Sequence, residues 1–382
     1  MFKKNQSIIY VNFAPYENAG RILDFLNEQF SLVILFSFDF HKLNNKSQSN
    51  KITIFKNGEE TKSFLLFKLP TPEILLFITL PFIALVIFLN ILWYSFKFRR
   101  EYGKFNYYLT VNAFTAWIGN LLRNFKLVKK TIFWVWDYYP PGSEDWRIRL
   151  ARWAYWRFDK WSTNSTDKTV FLNKKLMWLR REIKIIPKNK KFKIVPIGTN
   201  PRRILFAKKI IIGHLGVLKR GQGLDLLIDN LRELKKNKLD FKVEVVGSGP
   251  DEEHFKRRSR KFRNIKFYGF VKNSDEVDDI IRNWTIGLAT YIPNKSNESA
   301  WTDPSKIKAY ISQAVPVITT NVTDFSKEIK RYNAGVVIDY SDPKSFTNAV
   351  LKILKNKKEN KRNALKLAKK YYFRRIYKDL FT

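Results

Sequence analysis

Glycines or a helix start occur at three points in the second half of the chain, each between a predicted strand and a predicted helix. The three segments are residues 216–225 (GVLKRGQGLD), 245–250 (VVGSGP) and 303–306 (DPSK). A phosphate comes closest to a backbone N–H where no Cβ intervenes, and helix N-termini add unpaired N–H donors. Because α/β proteins bind ligands beyond the carboxyl ends of parallel strands, the three segments together predict a diphosphate site.

Three cations are placed to pair with that diphosphate. Lys219 and Arg220 lie in the first segment. Lys306 ends the third segment and lies in the first turn of the predicted helix 304–313. Asp303 is predicted to cap this helix, whose N-terminus, with Ser305, then points into the crevice. The alternative for Lys219 and Arg220 is that they are solvated loop cations.

Strands and helices alternate through both halves, which is the pattern of doubly wound parallel sheets. In the first half the predicted strands are 7–12, 32–38, 51–55, 106–111, 131–136 and 168–172, and the predicted helices are 19–30, 74–98, 113–125, 144–161 and 174–182. In the second half the predicted strands are 209–215, 241–246, 265–268, 285–289, 315–319 and 335–338, and the predicted helices are 223–235, 251–261, 274–282, 304–313, 323–331 and 343–355.

These elements predict two domains joined by the segment 193–200 (KIVPIGTN). Residues 1–199 form the first domain and residues 200–355 the second. Residues 356–382 are basic and predicted to be helical. We expect this last part to pack back on the first domain.

The order and spacing of the glycine segments resemble the donor half of a GT-B type glycosyltransferase of family four. The turn 247–250 is similar to the family's Val-Gly-x-Gly-Pro turn, and 268–271 (YGFV) to the turn that meets the base. The resemblance implies an α/β GT-B fold, in which two Rossmann-like domains face a central cleft. It also implies a nucleotide-diphosphate sugar as co-substrate and no further cofactor. The implied donor-binding residues are Gly216, Lys219, Arg220, Gly247, Gly249, Pro250, Phe270, Asp303, Ser305 and Lys306.

The chain departs from the family at several of its polar positions. The two glutamates that usually lie eight positions apart correspond to Trp301 and Ala309. A histidine that often precedes the acidic residue of the first domain corresponds to Trp136, and the usual loop cations correspond to Val217 and Gln222. These departures put nucleotide recognition and activity in question.

In the first domain, Asp137 ends a predicted strand beside the cleft and is the predicted catalytic contact to the transferred sugar or the acceptor. The alternative is that it caps the following turn. Asn18 and Gly20 lie in the loop after the first strand, and Asn112 follows strand 106–111. We expect these three residues to bind the acceptor. By the resemblance, transfer with retention needs no protein base, because the leaving phosphate can take the acceptor proton.

The composition limits the classes of function. The formal net charge of +37 indicates a partner with negative charge, such as an acidic membrane surface or a phosphorylated substrate. The absence of Cys excludes disulfides and thiolate chemistry, and three scattered His make a histidine metal cluster improbable. We expect no metal site. The first twenty residues show no signal-peptide pattern, so we expect the catalytic body to face the cytoplasm.

Residues 74–96 contain no charged side chain, and Lys97, Arg99, Arg100 and Lys104 follow them. A helix of this length could cross a bilayer core of roughly 30 Å. We favour a hairpin or an in-plane helix that enters one leaflet, because a crossing would separate the predicted strands of one sheet. The alternatives are a true span and a core helix buried against the sheet. Helix 146–161, rich in Trp and Arg, is either a second interfacial element or an ordinary packed helix.

We therefore expect a membrane-associated glycosyltransferase that works at the cytoplasmic face on a lipid-linked or membrane-proximal glycan. A catalytically silent GT-B scaffold or partner subunit is the alternative. A nucleic-acid binder is not expected, because only the charge supports it.

Overall fold

The computed structural model describes residues 5–14, 16–39, 49–69, 76–136, 138–139, 145–187, 189, 191–207, 209–293 and 298–382. Two α/β domains follow each other along the chain. Each has a central sheet with helices packed on its faces, as the alternating pattern predicts.

The first sheet has eight strands in the order β4-β3-β2-β1-β5-β6-β7-β8. The strands are β1 (Ser7–Phe13), β2 (Leu32–Phe38), β3 (Lys51–Lys56), β4 (Glu59–Leu65), β5 (Phe105–Thr110), β6 (Val128–Val135), β7 (Lys168–Phe171) and β8 (Lys193–Ile194). Apolar residues of β1 and β2 are buried on both faces, as in parallel sheets covered by helices.

The second sheet has six parallel strands in the order β11-β10-β9-β12-β13-β14, the order of a Rossmann fold. The strands are β9 (Ile210–Leu215), β10 (Phe241–Val246), β11 (Ile265–Gly269), β12 (Ile286–Ala289), β13 (Val317–Thr320) and β14 (Gly335–Ile338). The order reverses between β9 and β12, so a crevice opens at the carboxyl ends of these two strands.

Several helices begin at asparagines whose side chains accept from a backbone N–H of the first turn, as N-caps do: Asn112, Asn173 and Asn273. The helices of the first domain are α1 (Ile22–Gln29), α2 (Leu76–Tyr102), α3 (Ala113–Asn124), α4 (Trp146–Ser165) and α5 (Lys174–Glu182). Those that follow are α6 (Leu224–Lys236), α7 (Glu252–Ser259), α8 (Ser274–Arg282), α9 (Ser305–Ser312), α10 (Phe325–Tyr332), α11 (Ser345–Lys355), α12 (Lys357–Lys370) and α13 (Phe373–Ile376).

The sequence-based prediction misses β4, which forms an antiparallel hairpin with β3. Asn57 and Gly58 connect the two strands, and both have positive φ, of 52° and 88°. An Asn-Gly pair is the preferred two-residue hairpin turn, so the sequence did carry the signal. The polar composition of β4, which is exposed along most of its length, obscured it. The first sheet is therefore mixed at this edge and not wholly parallel.

Helix α2 packs along the first sheet through a narrow stripe. Ile87, Ile91, Ser95 and Phe98 are buried on this stripe, whereas Ile78, Phe82, Leu85, Leu89 and Trp93 are exposed. Strands β1 to β4 precede α2 and β5 to β8 follow it, yet all belong to one sheet. A helix that crossed a bilayer would separate these strands, so the true span does not agree with the fold. A fully buried core helix does not agree with it either.

The C-terminal helices divide between the two domains, which differs in part from the prediction. Ala364, Leu367 and Ala368 of α12 belong to the core of the second domain. Only the residues after α12 return to the first domain, where Phe373, Tyr377 and Leu380 join its core. The brace therefore begins near residue 373 and not at 356.

Candidate functional site

The carboxyl edges of the two sheets face each other, and contacts between the domains hold them there. Arg21, after β1, pairs with Asp275 at 2.9 Å and also with Asp278, both on α8. On the other side of the cleft, the Tyr138 ring stacks on Trp301, with centroids 4.5 Å apart. The segment before α9 is thus fastened to the end of β6.

The predicted glycine turns form one structure. Gly216 N–H donates to the Val246 carbonyl (2.9 Å), and Leu218 N–H donates to the Ser248 carbonyl (2.9 Å). Gly247 has φ of +128°, and a Cβ on it would overlap the Gly216 carbonyl. The loops after β9 and β10 therefore touch backbone to backbone, which only glycine permits at this point.

Lys306 provides the principal charge of the site. A Cβ on Gly216 would lie 3.3 Å from its Cε and Nζ, so the cation lies directly against the first turn. Its Nζ is buried and has no hydrogen-bond partner among the residues that the structure describes. Burial lowers the pKa of Lys306 to about 8. An unpaired ammonium of this kind costs stability unless an anion joins it.

No carboxylate among the described residues pairs with Lys306. Its Nζ lies 5.1 Å from the centre of the Tyr291 ring. His214 on β9 is buried, and neither ring nitrogen has a partner within the described part of the chain. Burial, together with the charge of Lys306, holds the pKa of His214 well below its usual range, so the imidazole is neutral. The sequence-based prediction did not include His214, because a lone His on a strand gives no signal of this proximity.

Asp303 is not the N-cap of α9 that the sequence predicts. Helix α9 starts at Ser305, and Pro304 occupies the cap position without a side-chain hydrogen bond. The Asp303 carboxylate accepts from the Ile197 N–H (2.6 Å) and from Lys308 Nζ (2.5 Å). Because Lys308 Nζ also donates to the Ile197 carbonyl (2.8 Å), this buried pair ties α9 to the segment between the domains. Ser305 is exposed at the helix start.

The other predicted donor-binding residues lie around the turns with more exposure. Arg220 is exposed, and its side chain lies near Asp251 (3.7 Å) and His254 (3.2 Å) at the start of α7. Lys219, Pro250 and Phe270 are exposed at the same edge of the sheet. Gly249 packs against Leu218, where a Cβ would overlap the backbone.

Apolar contacts occupy two of the positions at which the resemblance expects polar groups. Ala309 packs against the core of the second domain. Trp136 packs edge-to-face on Trp134 at 4.9 Å, and its Nε1 is buried without a partner in the described residues. Asp137, the predicted catalytic residue, lies outside the described residues.

The predicted acceptor-binding residues have local structural contacts. The side-chain oxygen Oδ1 of Asn18 accepts from the N–H of Leu23 (3.0 Å) at the start of α1. Gly20 is tightly packed, and its carbonyl accepts from the Tyr377 hydroxyl (2.8 Å). Asn112 caps α3. All three lie where the carboxyl edge of the first sheet meets the cleft.

Comparison with known proteins agrees with this architecture. Residues 209–356 match the family model of the glycosyl transferases group 1. No curated protein matches the chain in sequence.

Solved structures similar to this chain share the whole two-domain arrangement. Sucrose-phosphate synthase from Thermosynechococcus elongatus has a TM-score of 0.64 at 15% identity, over 98% of this chain and 96% of that one. A glycosyltransferase from Rickettsia africae has a TM-score of 0.62 at 14% sequence identity, and the match covers 100% of both chains. Anabaena HepE in complex with UDP-glucose has a TM-score of 0.63 at 10% sequence identity, and the match covers 99% of this chain and 98% of that one.

The family model and the fold lead to the same assignment. Residues 209–356 match the glycosyl transferases group 1 family, and the whole chain has the fold of the GT-B glycosyltransferases.

Proposed function

We propose that this glycosyltransferase moves a sugar from a nucleotide-diphosphate sugar to a lipid-linked or membrane-proximal glycan at the cytoplasmic face of the membrane. The observation that carries the proposal is the buried, unpaired ammonium of Lys306 beside Gly216. The donor diphosphate would supply the missing anion. Structural neighbours in complex with UDP or UDP-glucose support a nucleotide donor of this class.

The same geometry supports a mechanism based on positioning and charge. The Lys306 ammonium and the N-terminus of α9 would face the departing diphosphate, where negative charge increases during transfer. We propose transfer with retention, with the leaving phosphate accepting the acceptor's proton. We also propose that no metal takes part, because Lys306 and the helix terminus supply positive charge at that point.

A membrane-proximal acceptor is supported by the exposed apolar face of α2. Phe82, Leu85 and Trp93 on this helix have exposed fractions of 59%, 51% and 71%. α2 is long and apolar enough to cross a membrane by length and composition, although the sheet continues on both sides of it in sequence. We therefore propose that it lies in the interface of one leaflet.

The alternative, a catalytically silent scaffold, is favoured by Trp301 and Ala309 at the positions of the family's glutamates. The enzyme requires both nucleotide binding at Lys306 and turnover, whereas the scaffold predicts no turnover whether or not a nucleotide binds. The two are therefore separated by activity and not by binding.

The test has two stages. Thermal-shift measurements with UDP, GDP and ADP, with and without attached sugars, should show stabilisation by at least one of them, and Lys306→Met should abolish it. If no nucleotide stabilises the protein, the proposed donor site is wrong. Radiolabelled donor is then incubated with the protein and lipid extract, with and without EDTA. Labelled lipid in both incubations supports metal-independent transfer, whereas binding without transfer identifies the scaffold.

A further inference from the structure

The first parts of α2 and α4 meet at the edge of the first domain, where Ile83, Tyr155 and Trp156 pack against its cores and stay only half-buried. Between residues 77 and 86 of α2, and between residues 146 and 157 of α4, no side chain is buried. The rings of Phe77 and Trp146 meet edge-to-face at 5.5 Å, although the two residues are far apart in sequence. We call this pair of segments, 77–86 and 146–157, the α2–α4 ridge.

The ridge combines exposed apolar side chains with arginines. Its exposed large apolar residues are Ile78, Phe82, Leu85, Trp146, Ile148, Leu150 and Trp153, with exposed fractions between 43% and 63%. Residues 146–157 contain four Arg and no acidic residue. A water-soluble surface rarely groups so many apolar side chains, whereas Trp with Arg is typical of elements that lie in a lipid headgroup layer.

The ridge lies at the same edge of the sheet as the cleft. Helix α4 follows β6 in the chain, and Tyr139, after the carboxyl end of β6, contacts Tyr155 of α4 with ring centroids 4.3 Å apart. The preceding residue, Tyr138, contacts Trp301 across the cleft. Leu65 at the end of β4 pairs with Lys51 at the start of β3, and Lys51 also pairs with Ser37 at the carboxyl end of β2. The strand β4 therefore ends at the carboxyl edge of the sheet. Because α2 is the next element after β4, it also begins at this edge. Its other end is joined to the start of β5 by Gly103 and Lys104. A surface in contact with the ridge would therefore border the opening of the cleft.

We propose that the α2–α4 ridge docks into the headgroup layer of an anionic bilayer and so directs the cleft towards an acceptor held in that layer. The apolar side chains would enter the boundary between headgroups and acyl chains, and the arginines would contact lipid phosphates. The inference rests on the proposed function only for the identity of the acceptor. Membrane docking itself is tested without any sugar donor.

The experiment is flotation of the full chain with vesicles of phosphatidylcholine alone and with 30% phosphatidylglycerol. We expect strong binding to the anionic vesicles, at least about tenfold weaker binding to the neutral ones, and loss of binding as salt rises. The variant Arg149→Glu/Arg157→Glu should reduce binding at least about 20-fold, since each cation near such a surface contributes about fivefold. Phe82→Ser/Trp153→Ser should weaken it on both vesicle types.

Matched controls lie far from the ridge. Lys352→Glu/Lys355→Glu changes the net charge by the same amount on the exposed side of α11, and Trp178→Ser removes an exposed tryptophan (54%) from α5. Equal losses in the controls and the ridge variants would show that only net charge or exposed apolar area matters, and would overturn the proposal. The proposal would also be overturned if light scattering showed that the ridge variants lose self-association while their binding to vesicles stays the same as that of the parent.

The outcome is separable from that of the proposed function. Nucleotide binding by thermal shift should be the same in the ridge variants and the parent, because the ridge belongs to the other domain from Lys306. Loss of vesicle binding with intact nucleotide binding supports the ridge assignment. Intact vesicle binding in both ridge variants overturns it and leaves the donor site unaffected.

Discussion

The indole of Trp301 stacks on the phenol ring of Tyr138, with centroids 4.5 Å apart and planes 13° from parallel. The two residues belong to different domains. Asn173 reinforces the contact by donating to the Trp301 carbonyl (2.7 Å), and Lys175 donates to the Ala300 carbonyl (2.9 Å). At the position where the family resemblance expects a glutamate, this chain therefore holds its domains together.

Trp301→Ala and Tyr138→Ala should each loosen the closed arrangement. A stacked aromatic pair contributes about 0.5–1.5 kcal/mol beyond its burial, and the double variant should cost less than the sum of the two. Small-angle X-ray scattering should show a larger radius of gyration for each variant than for the parent. Trp178→Ala, which removes an exposed tryptophan, is the control, and an identical radius in all four proteins would contradict the prediction.

Replacement of Lys306 should stabilise the protein without ligand. Burial lowers the pKa of Lys306 in the folded state to about 8, from its ordinary value of 10.5. At pH 7 the folded chain holds this proton less tightly than the unfolded chain does, which costs about 3 kcal/mol. Lys306→Met removes this cost and should raise the melting temperature at pH 7, while it abolishes nucleotide binding. A less stable Lys306→Met protein would show that the ammonium has a partner.

The pH dependence follows from the same pKa. Between pH 8 and 10.5 the unfolded chain binds more protons at Lys306 than the folded chain does, so the contribution of this residue to stability improves as pH rises. The gain from Lys306→Met should therefore shrink above pH 8. Nucleotide affinity should fall over the same range, because the free site loses its positive charge. Titration calorimetry at pH 7, 8 and 9 measures this, and a constant affinity would exclude Lys306 as the main phosphate contact.

Removal of one partner of the Asp303–Lys308 pair should be strongly destabilising. Both side chains are almost fully buried, and burial lowers the pKa of Lys308 although Asp303 opposes the shift. Asp303→Asn removes the negative charge beside a buried ammonium and should cost about 3–5 kcal/mol. Asp303→Asn/Lys308→Met should recover part of this loss in urea unfolding. Lys327→Ala, which breaks an exposed pair with Asp324, should cost less than about 0.5 kcal/mol.

Substitutions at two glycines separate the cost of backbone strain from the loss of the contact between the turns after β9 and β10. Gly247 and Gly103 both have positive φ, of 128° and 79°. A Cβ at Gly247 would meet the Gly216 backbone, whereas a Cβ at Gly103, in the other domain, would meet no described atom within 4 Å. Gly103→Ala should cost about 1 kcal/mol from backbone strain alone. Gly247→Ala should cost more and also weaken nucleotide binding, because the loop after β9 has to move. Equal effects of the two variants on binding would remove Gly247 from the site.

Local sequence patterns determined most of the architecture. The alternation of buried strands and amphipathic helices predicted the order of elements in both domains, because this periodicity depends only on neighbouring residues. The glycines at 216, 247 and 249 similarly indicated turns in which backbone approaches backbone. Even the missed hairpin of β3 and β4 had its local signal in Asn57 and Gly58.

The tertiary structure alone decided which polar side chains have hydrogen-bond partners and which have none among the described residues. Asp303 and Lys306 lie three residues apart, yet the first is held by Ile197 and Lys308, and the second points unpaired at Gly216. The ring of Trp301 stacks on Tyr138, and α2 contacts α4 through the rings of Phe77 and Trp146. Burial and long-range pairing set the charge state and the partners of a side chain, and both depend on residues about a hundred positions away that no local pattern encodes.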